Sequence, residues 1–394
     1  MIQKGIPHTV WALGLVSLFM DVSSEMVHSL LPLFLVTVLG ASATRVGFIE
    51  GIAEGTAMVV KIFSGALSDW FGKRKALVVL GYGLGAASKP LFALAPTVGL
   101  VFAARFIDRI GKGIRGAPRD ALIADVTPPE LRGAAYGLRQ SMDTVGALLG
   151  PVLAMVILWA SHGNYRLVFW IAGVPGIIAV ATLIWGVKEP EARKARAPRS
   201  PLHRNEIREL GTGFWLVTAF GALLSLARFS EAFLLLRADN VGLAPHFAPM
   251  LLVGLNVVYM LTAYPVGKLS DRIGRRGLLA GGIVALIVSD LILAAFGSVW
   301  GVLIGTAFWG LQMGLTQGLL AALVADSAPA GLRGTAFGMF NLAGGLATVA
   351  ASMLAGWAWD RYGAPAPFYA GAVFCIGALG VYALMNRHVQ AVKS

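Results

Sequence analysis

Cysteine is nearly absent. Cys375 is the only one in 394 residues, so no intramolecular disulfide can form and no cysteine pair can hold a metal ion. Charge is scarce too. Asp, Glu, Lys and Arg make up 13% of the chain, against roughly 25% in ordinary soluble domains. Acidic side chains are the scarcer sign, 20 against 32 basic ones. Two motifs with catalytic meaning are missing. No G-x-x-x-x-G-K-[ST] run is present, which excludes ATP drive through a P-loop in this chain, and no H-E-x-x-H pair supplies a zincin site. No nucleophile, base and orienting group stand together, so a membrane-embedded enzyme or scaffold survives only as a rival reading.

Apolar residues are abundant instead. They reach 57% of the chain, with 49 glycines, which is more than one soluble core can hide; membrane helices use glycine for close packing. A bilayer core takes about 20 mostly apolar residues per helix. Such stretches recur at 9–36, 45–68, 76–95, 97–125, 133–160, 166–187, 212–236, 246–268, 276–297, 300–326, 334–358 and 365–386. The short alternating runs of a membrane barrel are missing. The spacing predicts an all-α membrane protein with twelve transmembrane helices, helix 1 to helix 12. The net charge of +12 could suggest nucleic acid, but its placement argues against that partner. Lys and Arg gather at 73–75, Arg132, 188–208, 268–276, Arg333 and 387–393, in every second loop and at the ends. This bias predicts that both termini face the cytoplasm. Ala41-Ser42-Ala43 imitates a signal-peptidase site, but the apolar run before it is too long and holds Asp21 and Glu25.

The most polar stretch, 188–210, is rich in charge and proline and reads as a cytoplasmic linker. It divides the chain into two six-helix bundles, 1–187 and 211–394. The halves are related. Residues 65–74 (GALSDWFGKR) match 267–276 (GKLSDRIGRR) at an offset of 202, and ALIAD at 121–125 with LRG at 131–133 matches ALVAD at 322–326 with LRG at 332–334 at an offset of 201. Two matches at nearly one offset imply a duplication and pseudo-symmetric bundles, as in many secondary transporters.

The loop after helix 2 holds Gly65, Leu67, Ser68, Asp69, Gly72, Lys73 and Arg74. This pattern, G-x-L-[SA]-D-x-x-G-[RK]-[RK], resembles the hallmark of the major facilitator superfamily. Arg105, Gly111 and Gly113 in helix 4 are similar to the family's second motif. In helix 5, Gly137, Gly146, Gly150 and Pro151 resemble the exporter motif of its drug:proton antiporter branches, although Ala154 and Met155 stand where two further glycines belong. The resemblance covers nearly the whole chain. It implies the family's fold and alternating access, and it leaves the cargo open. It also implies a latch in which Asp69 contacts the start of helix 11 near Thr335. The gating set is then Asp69, Arg74, Asp125 and Arg132, with Asp271, Arg275, Asp326 and Arg333 as second-half counterparts. Arg119, Asp120, Asp125 and Arg132 are expected to form gate pairs on the cytoplasmic side.

An ionisable group inside a bilayer costs roughly 2.5–3.5 kcal/mol on insertion scales, so each is a candidate for function. At about 100° per residue, Asp21, Glu25 and His28 share one stripe of helix 1 with Ser17 and Ser24. Burial disfavours the charged form of a carboxylate, which suits proton loading. Asp21, Glu25, Glu54 and Asp108 are the proton-coupling candidates. A helix–helix hydrogen-bond network is the alternative for helix 1, and an ion pair for Glu50, Glu54 and Lys61 on helix 2. Helix 4 is the most charged: Arg105, Asp108, Arg109, Lys112, Arg115 and Arg119 fall within an arc of about 120°. Such a face must line water or pair internally. Guanidinium groups bind carboxylate or phosphate, so Arg105, Arg109 and Lys112, with Lys89 on helix 3, are candidate contacts for an anionic cargo. Arg228 and Glu231 on helix 7, which a mid-membrane ion pair would also explain, and Gln312 on helix 10, a neutral hydrogen-bonding group, complete the candidate cargo contacts. The helix 10 counterparts of the charged face, Thr306, Trp309, Gly310, Met313, Thr316 and Leu320, carry no charge. Gly111-Lys-Gly-Ile-Arg-Gly116 spells a dinucleotide fingerprint, but inside an apolar helix it reads as close packing.

The expectation is a proton-coupled exporter of a small anionic organic solute, working as a monomer in the lipid bilayer, with no cofactor and no bound metal. A divalent-metal exporter is one rival, from Met20, Asp21, Glu25, Met26 and His28 crowding helix 1. A multidrug efflux pump is another, from the helix 5 glycines.

Overall fold

The computed structural model describes residues 5–71, 74–188, 209–273, 275–329 and 332–393. The linker residues 189–208 and the side chains of Asp69, Asp271, Arg275 and Arg333 lie outside the described set. Among the described residues no strand forms, and twelve long helical segments succeed one another: α1 (His8–Val38), α2 (Ala43–Phe71), α3 (Arg74–Leu94), α4 (Val98–Val126), α5 (Arg132–Ala160), α6 (Tyr165–Gly186), α7 (Thr212–Asn240), α8 (Pro249–Ile273), α9 (Arg275–Ala295), α10 (Val299–Ser327), α11 (Arg333–Tyr362) and α12 (Ala366–Lys393). Ten are long and apolar enough to cross a membrane by length and composition. The other two, α2 and α4, have the length, 29 residues each, but carry the charged faces. Large apolar side chains turn outward, including Trp185, Tyr264, Trp300 and Ile376. Lipid is the solvent that such a surface suits.

The duplication extends to the elements themselves. α3 and α9 both span 21 residues, α4 and α10 both span 29, and each pair is offset by 201 positions (74 to 275, 98 to 299). The caps repeat as well. Thr97 Oγ1 accepts from Leu100 N at the start of α4, and Ser298 Oγ accepts from Gly301 N at the start of α10. Each side-chain oxygen satisfies a donor that the first helical turn leaves orphaned.

Both opening helices are broken, also at matching positions. α1 runs as regular helix from His8 to His28, turns at Ser29 and Leu30, and resumes through Leu31–Leu33 into a π-helical turn at Phe34–Val38. Pro32 explains this break: it has no N–H to return to the His28 carbonyl. α7 was expected as one helix through 236. Instead it stops at Ala227 and restarts at Ala232, with Arg228 at φ −107°, ψ 73°. No proline marks this second break. Ser230, offset by 201 from Ser29, donates its backbone N–H to Ser352 Oγ at 3.2 Å, which holds the unwound segment.

The chain forms two compact units, Met1–Leu39 with Thr56–Ser200, and Gly40–Gly55 with Pro201–Ser394. In the first, α1 packs on α5 and α6, and α3 on α4 and α6. Val10, Leu13, Val16, Met20, Val78, Tyr82, Leu122 and Leu183 are sealed in its core. In the second, α7 packs on α11 and α12, α9 on α10 and α12, and α8 on α10. The opening half of α2 belongs to the second unit for a local reason. Gly47, Gly51 and Gly55 lie one turn apart and let its backbone approach Val349 and Ser352 of α11. Asp360 then caps α2, accepting from Ala43 N at 3.1 Å and Thr44 N at 2.8 Å. A carboxylate at a helix N-terminus is favourable through the helix dipole.

Candidate functional site

The charged side chains of the first unit form two connected clusters. The deeper one centres on Asp108. Lys89 Nζ from α3 lies 2.7 Å from Asp108 Oδ1, Arg109 Nη2 lies 2.8 Å from Oδ2, and Arg105 Nη1 stands 4.0 Å from Oδ2. Ser24 of α1 lies 3.3 Å from Lys89 Nζ, and Ser88 Oγ is 3.4 Å from Asp108 Oδ1. All four charged residues are at most 2% exposed. One carboxylate thus serves three buried cations. Lys112, on the same helix, is exposed.

The second cluster lies about three turns further along α4. Arg119 pairs with Asp120 at 3.2 Å and donates to Ser17 Oγ at 3.0 Å and to Tyr82 Oη at 3.4 Å. Arg139 of α5 pairs with Asp143 at 2.5 Å, and Arg119 stands 4.0 Å from Asp143. Arg115 lays its guanidinium over the Tyr82 ring, 4.7 Å from the centroid, a cation–π contact. Arg74 Nε meets Asp125 Oδ2 at 2.6 Å, and Arg74 Nη1 donates to Ser68 Oγ at 3.1 Å. The structure therefore gives Asp125 an Arg74 partner, while Arg132 donates to the Ala124 carbonyl at 3.3 Å. Arg139, absent from the sequence reading, is detectable as the i−4 neighbour of Asp143.

α1 is pressed against this charged region by α5. A Cβ on Gly146 would lie 2.9 Å from Asp21 Cβ, and one on Gly150 would lie 2.6 Å from Glu25 Cβ. These two glycines of the exporter-like motif let α1 and α5 touch at the two carboxylates. Asp21 feels Arg115, Lys112, Arg119 and Asp143; Glu25 feels His28, Lys112 and Arg109. His28 Nδ1 lies 3.6 Å from Glu25 Oε2, just before the break in α1. Glu54 falls in Gly40–Gly55, which belongs to the second unit. The glycine run in α4 packs as expected: Gly111 sits on the Gly81 carbonyl of α3, and Gly113 on the Ala57 carbonyl of α2.

In the second unit Arg228 and Glu231 flank the α7 break, with Glu231 the principal charge acting on Arg228. Phe229, between them, packs edge-on to Trp309, Phe233 and Phe368 with centroids 5.4–5.5 Å apart. Trp309 is fully buried in that aromatic group. Gln312 is buried and donates to Thr316 Oγ1 at 2.9 Å. Asp326 is exposed. Among the described residues, no three His, Cys, Asp or Glu side chains come together as metal ligands.

Duplicated helical halves with broken opening helices and charge sealed among apolar segments define a polytopic membrane transporter. The chain belongs to the Major Facilitator Superfamily, whose pattern matches residues 13–236 and 218–394. A transporter of that type from Methanocaldococcus jannaschii, itself uncharacterised, is 30% identical over 364 residues, which cover 91% of this chain and 90% of the relative. The inner membrane transport protein YajR of Escherichia coli is 24% identical over 399 residues, covering 97% and 84%. Among solved structures, a mutant of the peptide transporter POT superposes with a TM-score of 0.81 at 15% identity, covering 98% and 96%, a likeness of fold.

Proposed function

We propose that the protein is a proton-coupled exporter of a small anionic organic solute, working by alternating access in a bacterial inner membrane with both termini cytoplasmic. The observation that carries the anionic cargo is the buried group of Lys89, Arg105 and Arg109 gathered at Asp108. Such a cationic group is a chemical match for an arriving carboxylate or phosphate, to which arginine offers two parallel hydrogen bonds. Asp21 and Glu25 are the proton carriers in this reading: Glu25 lies within the field of Arg109 and Lys112, and Asp21 within that of Lys112, Arg115 and Arg119 on the same helix. Cargo entry and proton release are then linked through charge alone. The export direction draws on the exporter-like glycines of α5, and the orientation on the positive loops.

Purified protein is screened by thermal shift against panels of organic anions, organic cations and divalent metals. A ligand of the native state raises stability by mass action, about 2.7 kcal/mol at a hundredfold excess over Kd. An anion is expected to stabilise the protein, and its transport in proteoliposomes is expected to vanish in Arg105→Ala while membrane insertion stays normal. Stabilisation by metals alone would favour the divalent-metal reading, which has the His28–Glu25 pair as its only geometric support. Unimpaired transport by Arg105→Ala would overturn the anionic site.

A further inference from the structure

The second unit holds a sealed carboxylate that none of the roles above uses. Asp290 lies on α9 and is 0% exposed. Neither Oδ1 nor Oδ2 has a hydrogen-bond partner among the described residues. Two elements, α12 and the first segment of α7, stand over it. The Cys375 thiol of α12 is the titratable group that feels it. Gly371 of α12 and the Ala227 carbonyl, the last of the first segment of α7, stand beside it. The point where a Cβ on Gly371 would sit is 2.6 Å from Asp290 Oδ2 and 3.0 Å from the Ala227 oxygen. α8 and α10, which also pack on α9, bring no charged side chain to bear on it among the described residues. Arg228, the next residue after Ala227, answers to Glu231 and Tyr259.

The duplication gives this position its meaning. At the offset of 201 that relates α3 to α9, Asp290 is the counterpart of Lys89, and Ser289 of Ser88. Asp108, the carboxylate partner of Lys89, has Trp309 as its counterpart. At this position one unit carries a paired cation, and the other a carboxyl group on which no cation acts among the described residues.

A sealed carboxylate with no hydrogen bond is among the costliest arrangements a protein can hold in charged form. Two donors, a carboxylate and a thiol, are too few for a metal ion, which takes four or more ligands. A proton fits. We propose that Asp290 is a proton-carrying site of the second unit, neutral while α12 and the end of the α7 segment close over it, and released to water when the α7 break rearranges. The step breaks the carboxyl O–H bond and forms the corresponding bond to water; no other bond changes. Carbonyls at the C-terminal end of a half-helix are suitable neighbours for such a proton. The assignment rests on the proton-coupled reading only for its use in transport. The protonation can be read with no cargo present.

The test is infrared difference spectroscopy on the reconstituted full chain, with pH as the only variable. The native protein is expected to show a protonated-carboxyl carbonyl band that is lost in Asp290→Asn and that fades reversibly as the medium is made alkaline. No difference between native and Asp290→Asn spectra would overturn the proposal, since the group would then be ionised at rest. A band that keeps full amplitude at every pH where the fold survives would overturn it as well, leaving a fixed structural acid. If Asp290→Asn does not accumulate in membranes, Cys375→Ala replaces it. That change alters the carboxyl's neighbour and is expected to shift the band, and an unmoved band would refute the assignment. Failure of the anion screen leaves this readout untouched, so the two readings fail separately.

Discussion

At Asp108 three buried cations meet one carboxylate, and the geometry ranks what each substitution would cost. Asp108→Asn removes the anion that Lys89, Arg105 and Arg109 share. Breaking a buried pair from one side costs about 3–5 kcal/mol, so this variant is expected to lose most of its folded fraction in a detergent thermal melt. Lys89→Met removes one cation of three and leaves Asp108 held by Arg109 at 2.8 Å. Its melting point is expected to stay near the native value, and a loss as large as that of Asp108→Asn would contradict the shared-anion arrangement. The charged face of α4 was legible in the sequence because its members repeat at the helical period. Asp290 was not, although it is the lone acidic residue in its apolar stretch. A search for shared faces passes over a charge that has no charged neighbour within two turns of its helix.

For the helices, most bounds followed from the lengths of the apolar runs. α4 and α10 end within a residue or two of the stretches 97–125 and 300–326. Breaks were harder to see. Pro32 makes the α1 break explicable from sequence, whereas the α7 break has no proline and depends on Ser352 and the aromatic group around Phe229. The close contact of α1 with α5 gives a prediction at this scale. Gly150→Val would drive a side chain into Glu25 and the Val22 carbonyl. Overpacking of this kind costs about 1–3 kcal/mol, and the displaced Glu25 would shift relative to Lys112 and Arg109. The variant is expected to melt lower and to lose proton flux more than its stability loss explains, measured in liposomes well below the melting point. Undiminished flux would separate the glycines from coupling.

Over the whole molecule, the duplication was readable from two loop matches at nearly one offset. The division of α2 was not, because nothing in its composition marks Gly55 as a boundary. Pieces 1–187 and 211–394 each look like six complete helices by sequence. The first piece alone, however, would leave Gly47, Gly51 and Gly55 without α11, and the α2 N-terminus without Asp360. The isolated 1–187 fragment is therefore expected to be degraded in membranes, and to accumulate when 211–394 is expressed beside it. Equal abundance of the fragment with and without its complement would show that these α2 contacts are dispensable.

The single thiol has a practical consequence. Cys375 is 0% exposed, so water-soluble maleimides should find almost nothing to modify in the native chain. The natural sequence can then serve as a near-silent background for attaching paired spin labels or fluorophores at chosen loop positions. Distances between such probes could report the opening and closing of the protein without first altering the residue that borders Asp290.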